Sequence, residues 1–419
     1  MYFYPDSPEK FREKALRWAS GFDTYMFVNG NRYDTLHGCF PEKLAVGARR
    51  ELKADDRVFE QLDAFAGQPH GWIFGYLSYD VKNETEALNS QNPDRLAFPT
   101  ACFFEPEVLV SFFDHGVHIE ADDAIRIYDE INSSPAPFPI RLPRVTFCPE
   151  TGRNDYLRTG RLLRSRIVEG DIYEINYCVR YYAEQVDLSP LSAYWSLNAI
   201  SPAPFSLLFE SGGQAIMSAS PERFLKKTGD RLVSQPMKGT IRRGSTIEED
   251  ESLKAALRAS EKEIAENMMI MDLVRNDLAR VCKSGSVVVE DLFGVYTFPK
   301  VHQMITTIAG DTRLDSTIGK ILRATFPMGS MTGAPKIRAM ELIDQYEAFY
   351  RGAFSGAAGY ITPDNDFDFN VLIRSLFYNK SDRHLSFGVG SAITYDCELE
   401  KEWEECQLKA GIFRQLFGE

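Results

Sequence analysis

FSLLFESGGQAIMSAS, residues 205–220, is the stretch that decides the fold. Its halves, FSLLFES (205–211) and QAIMSAS (214–220), are rich in strand-forming residues and lie close enough to pair as neighbours, so they read as a hairpin-like pair. SGAAGYI (355–361) and FNVLIRSLFY (369–378) form a second such pair, joined by the turn-rich PDNDFD (363–368). Strand-like text also fills HGWIFGYLSYD (70–80) and TACFFEPEVLVSFFDHGVHIEA (100–121), where β-branched and aromatic residues recur between turn signals. Between the two pairs, Leu253, Leu257, Ile264, Met268, Met271, Leu278 and Val281 step by three, four or seven, which predicts one helix from Leu253 to Cys282 whose other face is free for chemistry. Strands and helices alternate irregularly, so the class is α+β with large antiparallel sheets rather than a regular βαβ array. Four prolines in SSPAPFPIRLP (133–143) forbid helix and central strand there. That segment divides a strand-rich region, 1–143, from a second region, 144–419.

The balance of 47 Lys+Arg against 60 Asp+Glu gives a formal net charge of −13, which argues against a nucleic-acid partner. Hydrophobic residues make up 44% and charged residues 26%, enough apolar material for a large core. No run approaches the roughly 20 apolar residues of a membrane span, and MYFYPDSPEKFREK lacks signal-peptide order, so a cytoplasmic protein is expected. Seven scattered cysteines without CxxC spacing suggest reduced, mostly buried thiols.

Several segments hold candidate chemistry. Glu263 and Glu266 share one face of the predicted helix, and Glu398, Glu402, Glu405 and Lys409 recur at helical steps near the C-terminus. A solvated charged face is the ordinary explanation; a site for a hard cation such as Mg²⁺ is the functional one. GSMTGAPK (329–336) leads into TGAPKIRAMELIDQYE with Thr332 as a plausible N-cap, and free amides at that helix start suit a carboxylate or phosphate. A Walker A loop fails there, because Ala334 stands where its second glycine belongs and Lys336 precedes Ile337. In QPMKGT (235–240), Lys238 is either a surface turn lysine or a nucleophile, and the second role requires a lowered pKa. Arg374 interrupts an apolar strand, which calls for a carboxylate or phosphate partner, structural or bound. Glu222 in SASPERF would serve as a general acid if burial raises its pKa.

Taken in order, GDIYEINYC (170–178), SASPERF (218–224), PMKGT (236–240), AENMMIMDLVRNDLARV (265–281), GSMTGAPKIRAMELI (329–343), RGAFSGAAGY (351–360), FNVLIRSL (369–376) and EKEWEECQLKA (400–410) resemble the chorismate-utilising enzymes. These include the large subunits of anthranilate synthase and aminodeoxychorismate synthase, with isochorismate and salicylate synthases as relatives. GYLSYD (75–80) adds a weaker match. The resemblance implies an α+β fold of two interleaved subdomains with chorismate and Mg²⁺ in a cleft between sheets. It implies Glu266 and Glu405 as metal ligands, with Glu263 and Glu402 behind them. Arg374 and Lys409 match groups that hold substrate carboxylates, and Thr332, Gly333, Gly390, Ser391 and Ala392 match loop positions that contact chorismate. Glu222 matches the glutamate that protonates the departing C4 hydroxyl.

Lys238 discriminates among the branches. Anthranilate, isochorismate and salicylate synthases usually have PIAGT at this place, whereas the aminodeoxychorismate synthases have PIKGT, whose lysine is thought to attack C2 before ammonia displaces it at C4. Glu174 stands where the isochorismate branch has a water-activating lysine and the amine-transferring branch a glutamine; it is read here as a contact to ammonia or to its channel. Gln303 replaces a family histidine, with His302 one place before it. Phe354 stands where anthranilate synthases tend to have Tyr, and Ala392 replaces a glycine. MFVNGNRYD (26–34) occupies the place of the LLES-type segment tied to tryptophan feedback, so such feedback is not expected. With no glutamine amidotransferase region recognised in the chain, ammonia is expected from a separate glutaminase subunit. Anthranilate synthase component I, and a chorismate-binding regulatory subunit without catalysis, are the competing readings.

Overall fold

The computed structural model describes residues 1–135, 141–299 and 301–419. The stretch 205–220 folds as the hairpin its sequence predicts, Phe205–Ser211 against Gln214–Ser220. Gly212 and Gly213 make the two-residue turn, with φ of 58° and 79°. A pair of left-handed residues matches the twist of the flanking strands, and glycine takes that conformation without a Cβ penalty. On either side, Tyr25–Asn29 pairs with Phe205–Ser211, and Ser375–Asn379 with Gln214–Ser220. The hairpin thus lies in the middle of a twelve-stranded sheet.

Successive side chains of a strand point to opposite faces, and here both faces are covered. Phe205, Leu207, Phe209 and Ile216 enter a core shared with Phe74, Tyr76, Phe103 and Phe369 of a second, ten-stranded sheet. Leu208, Ala215, Met217 and Ala219 enter another core, under helices Pro8–Ala19, Arg153–Val168, Pro190–Ile200 and Leu399–Phe417. This double burial explains why the stretch is apolar throughout rather than alternating. Truncating Phe209 or Leu207 to Ala would cost about 2–5 kcal/mol, since each is enclosed on all sides. All recorded strand pairings are antiparallel, and helices flank the sheets, as the α+β expectation requires.

Strands from residues 1–143 enter both sheets. Tyr25–Asn29 belongs to the larger, and Ile73–Leu77 pairs with Ala357–Ile361 in the smaller. The two regions on either side of the proline-rich segment are therefore joined by sheet hydrogen bonds; residues 136–140 of that segment lie outside the described residues. All seven cysteines are free thiols, five of them buried. Among the described residues no helix is long and apolar enough to cross a membrane.

Three expectations need correction. The helix predicted over 253–282 is two, Ile247–Arg258 and Glu261–Ala279, because Ser260 caps the second by accepting the Glu263 amide. Its chemistry lies on the buried face with Glu266, Asn267 and Asp277, while Met268 is 43% exposed. FNVLIRSLFY is not one strand: Phe367–Val371 lies in the smaller sheet and Ser375–Asn379 in the larger, with Arg374 between them at φ 52°. Finally, the helix Lys336–Tyr346 starts after Pro335, so Thr332 is not its cap. Thr332 Oγ1 instead donates to the carbonyls of Met328 and Gly329 in the turn before it.

Candidate active site

Two neighbouring chain segments change sheet side by side. Gln214–Ser220 belongs to the larger sheet and Arg223–Thr228 to the smaller; Phe367–Val371 and Ser375–Asn379 make the opposite passage. The two passages are tied by three hydrogen bonds: Val371 N to Glu222 O, Ala219 N to Arg374 O, and Ser220 Oγ to Val371 O at 2.6 Å. A strand that leaves one sheet for another leaves the sheets free to diverge beyond it. Glu222 and Arg374 stand at that divergence, one on each passage.

Lys238 reaches the same place from strand Met237–Arg242. The pairing of this strand with Val301–Asp311 is irregular between Met237 and Thr240, and Gly239 has φ 85°. Such a bulge turns a side chain out of the ladder. A Cβ on Gly239 would lie 2.9 Å from Glu263 Oε2, so the absent side chain is what lets the helix Glu261–Ala279 approach. Lys238 is no surface lysine: its side chain is 12% exposed and its ammonium donates to Glu174 Oε1 at 2.5 Å, with Glu266 Oε2 at 4.0 Å. Burial lowers its pKa, but the carboxylates of Glu174, Glu266 and Glu405 outweigh burial and hold it well above the ordinary amine value. The lowered pKa demanded by a lysine nucleophile is therefore not a resting property of this site. Lys238 rests as an ammonium beside its own proton acceptor.

Glu222 behaves as a general acid should. Burial pushes its pKa up to about 7, against the lowering effects of the Ser330 hydroxyl bond and the Lys238 and Lys409 charges. Ser330 Oγ donates to Glu222 Oε1 at 2.6 Å. The Arg374 guanidinium makes no hydrogen bond or ion pair among the described residues, though its backbone carbonyl accepts from Ala219 N; burial depresses its pKa and the Glu405 charge partly restores it. A guanidinium always stays charged, so it presents an anion-binding fork without a hydrogen-bonded partner among the described residues.

The four glutamates expected to hold a metal approach one another from two helices, with Lys262 between them. Glu263 and Glu266 lie on Glu261–Ala279, Glu402 and Glu405 on Leu399–Phe417. Glu398 sits exposed at the start of the latter, paired with Lys401, and takes no part. Burial raises the Glu266 carboxyl to about 7 against the pull of Lys238 and Lys262, and raises Glu263 against Lys262 and Lys238, with the neighbouring carboxylates adding to the rise in both. Burial likewise raises Glu405, but Lys409, 2.6 Å away, with Lys262 and Lys238, brings it below the usual range. No group of three metal-ligating side chains has converged among the described residues. Instead Lys262 Nζ lies 2.7 Å from Glu402 Oε1 and 3.8 Å from Glu266 Oε1. Buried Glu266 Oε1 and Glu402 Oε2 lack hydrogen-bond partners. Orphaned carboxylate oxygens from two helices fit a hard divalent cation with oxygen ligands.

The remaining predicted contacts frame these groups. Gly333 adopts φ 150° and its strand pairs with Glu174–Ile175; a Cβ there would meet Glu174 O at 2.1 Å, so only glycine lets the GSMTG turn close on Glu174. Gly390, Ser391 and Ala392 lie on His384–Ile393, opposite Cys178, Tyr177 and Asn176. Lys409 Nζ donates to Gly390 O at 2.7 Å, whereas the Ser391 hydroxyl is bonded to Tyr156 at 2.7 Å. Gln303 is buried with an unpartnered Oε1. The adjacent His302 ring is held by Asp250 at 2.9 Å and Thr297 at 3.0 Å, which makes it a structural histidine. Sequence reasoning missed Ser330, Lys262 and Arg351. Arg351 binds Glu347 and the carbonyls of Met331 and Asn176, fixing the GSMTG turn to the Glu174 strand. Ser330 and Arg351 lie in quoted motifs, but Glu222, the partner of Ser330, and Met331 and Asn176, which Arg351 binds besides its i,i+4 neighbour Glu347, are remote in sequence; Lys262 is visible only as an i,i+4 partner of Glu266.

Residues 22–415 match the family model for chorismate binding enzymes. The aminodeoxychorismate synthase of Streptomyces griseus is 38% identical over 365 residues, covering 83% of this chain and 50% of that protein. The chloroplastic aminodeoxychorismate synthase of Arabidopsis thaliana is 35% identical over 396 residues, 86% of this chain and 42% of its own. Anthranilate synthase component 1 of Thermus thermophilus is 33% identical over 406 residues, 93% of this chain and 84% of its own. The chain thus spans about half the length of the aminodeoxychorismate synthases it matches. Among solved structures, anthranilate synthase component I from Streptococcus pneumoniae shares the fold at a TM-score of 0.79 and 24% identity, over 92% of this chain and 96% of that one. The menaquinone-specific isochorismate synthase from Escherichia coli does so at 0.77 and 17%, over 100% and 94%. With residues 22–415 matched by the family model and its motif residues Glu174, Glu222, Lys238 and Glu266 brought within one another's reach, the chain belongs to the chorismate-binding enzymes.

Proposed function

We propose that this chain carries the aminating activity of an aminodeoxychorismate synthase, component I. In this reading it converts chorismate and ammonia, with Mg²⁺, to 4-amino-4-deoxychorismate, a precursor of p-aminobenzoate and folate. Ammonia comes from glutamine through a glutaminase (amidotransferase) subunit. The observation that carries the reading is Lys238: a buried amine on a bulge, 2.5 Å from Glu174 and within the field of Glu222.

Arg374 and Lys409 hold the carboxylates of chorismate. Glu174 takes the proton from Lys238 and frees the amine, which forms a bond to C2. As the double bonds shift, the C4–O bond breaks and Glu222 gives its proton to the departing hydroxyl. Ammonia then bonds to C4 and expels the Lys238 amine from C2. Splitting the substitution into two steps is the gain of covalent catalysis. Glu266 and Glu405, backed by Glu263 and Glu402, would hold Mg²⁺, which supplies a charge anchor for substrate carboxylate. Anthranilate synthase component I is the second reading, favoured by the longer coverage of the Thermus relative; it offers no use for Lys238. The test is intact mass spectrometry of protein incubated with chorismate and Mg²⁺ without ammonia. An adduct of chorismate less water on the Lys238 peptide is expected, and its absence there in wild type would remove the nucleophile.

A further inference from the structure

We propose that Glu222 is reloaded with protons from behind, through a water-sized cavity that leads to the Asp277–Lys336 ion pair. The inference rests on the reaction proposed above, and the balance of that reaction creates the need for it. The departing hydroxyl leaves as water with the Glu222 proton. Ammonia's lone pair forms the C4–N bond while the C2–N bond to Lys238 breaks, and the product leaves as an ammonium. Glu222 is then a carboxylate, and one proton per turnover must come from solvent. In the proposed reaction the side of Glu222 toward Lys238 and Lys409, whose charges act on it, is the side that substrate and product occupy.

A second way exists on the other side. Glu222, Ser330, Thr325, Val274 and Asp277 line one small cavity whose free space matches about a single water molecule. Ser330 Oγ, on the Glu222 side, is already bonded to Glu222 Oε1 at 2.6 Å. At the far end Lys336 Nζ donates to Asp277 Oδ2 at 2.6 Å and to Thr325 O at 3.1 Å. The Lys336 side chain is 14% exposed, so this end touches solvent. Other charges nearby are spoken for: Arg223 is bound by Asp368, and Arg280 donates to Ala324 O. Burial raises the Asp277 carboxyl against the pull of Lys336, which brings its proton affinity toward that of Glu222. Sequence reading gave neither Asp277 in LVRND nor Lys336 in GAPK a role in the reaction.

The test is quench-flow of wild type, Asp277→Asn, Lys336→Met and Val274→Leu with chorismate, Mg²⁺ and ammonium. Val274→Leu narrows the cavity without touching a charge, so it stands in if the charge variants fold poorly. In each variant the first turnover, served by a proton already on Glu222, is expected at the wild-type rate. Later turnovers are expected to slow by about tenfold or more, giving a burst of about one product per site. A first turnover slowed as much as the rest, or steady-state rates equal to wild type in all three variants, overturns the relay. Wild type that forms no aminated chorismate overturns the proposed reaction itself, and the relay with it.

Discussion

Replacing Ser330 with Ala should move the alkaline limb of activity upward. The Ser330 hydroxyl donates to Glu222 Oε1 at 2.6 Å and so favours the ionised carboxylate. A hydrogen bond to a charged acceptor is worth about 1.5–3 kcal/mol, and the protonated acid keeps roughly half of that, so truncation costs the ionised form about 0.75–1.5 kcal/mol more than the acid. At 1.36 kcal/mol per unit this is up to about one pH unit. Glu222 acts in its protonated form and titrates at about 7. The fall of kcat/KM for chorismate should therefore begin near pH 7 in wild type and up to about one unit higher in Ser330→Ala. Above both midpoints the variant should be the faster enzyme; below both, the two should match. The assay is initial rate against pH at constant free ammonia and saturating Mg²⁺. An unmoved or lowered limb would refute the assignment of Glu222 as the proton donor held by Ser330.

Stability should respond to the same carboxyl. Its folded pKa of about 7 lies above the reference 4.5, so its contribution is complete below the lower value and is lost as pH rises through the upper, by at most about 3 kcal/mol. Glu222→Gln should accordingly raise Tm at about pH 8 and leave it unchanged at about pH 4, with a pH-independent difference as the contrary result. Lys238→Ala leaves Glu174, 1% exposed, without its partner and should destabilise by about 3–5 kcal/mol in urea unfolding. Adding Glu174→Gln should restore most of that stability and none of the turnover; restored turnover would contradict a nucleophilic Lys238. Lys262→Met removes the ammonium lying between Glu402 and Glu266. It should tighten Mg²⁺ binding in calorimetry without substrate, while weaker binding would place the metal elsewhere.

What the sequence disclosed, and what it hid, follows from the range of the interactions. The 205–220 hairpin was legible because its pairing is local and its turn is two glycines. The approach of the four glutamates was half legible: helical spacing placed each pair on a helix, and only packing of Glu261–Ala279 near Leu399–Phe417 joins them. The split at Arg374 was hidden because its left-handed φ lies at a non-glycine residue between two strand-like apolar stretches, with no glycine or proline to mark a turn. The helix break was present as Ser260 followed by Glu263, a capping box that the apolar period overran. Lys238 shows the limit most clearly. A motif told where the amine lies, but its charge state depends on Glu174, 64 positions away, and no local pattern carries that distance.

One measurement bears most directly on the central claim. Purified protein is incubated with chorismate, Mg²⁺ and excess ammonium, with and without aminodeoxychorismate lyase, and the products are separated by mass spectrometry. The expected result is 4-amino-4-deoxychorismate that retains its enolpyruvyl group and becomes p-aminobenzoate only when the lyase is added. Anthranilate and free pyruvate formed without lyase would contradict the account and leave Lys238 as a buried structural cation.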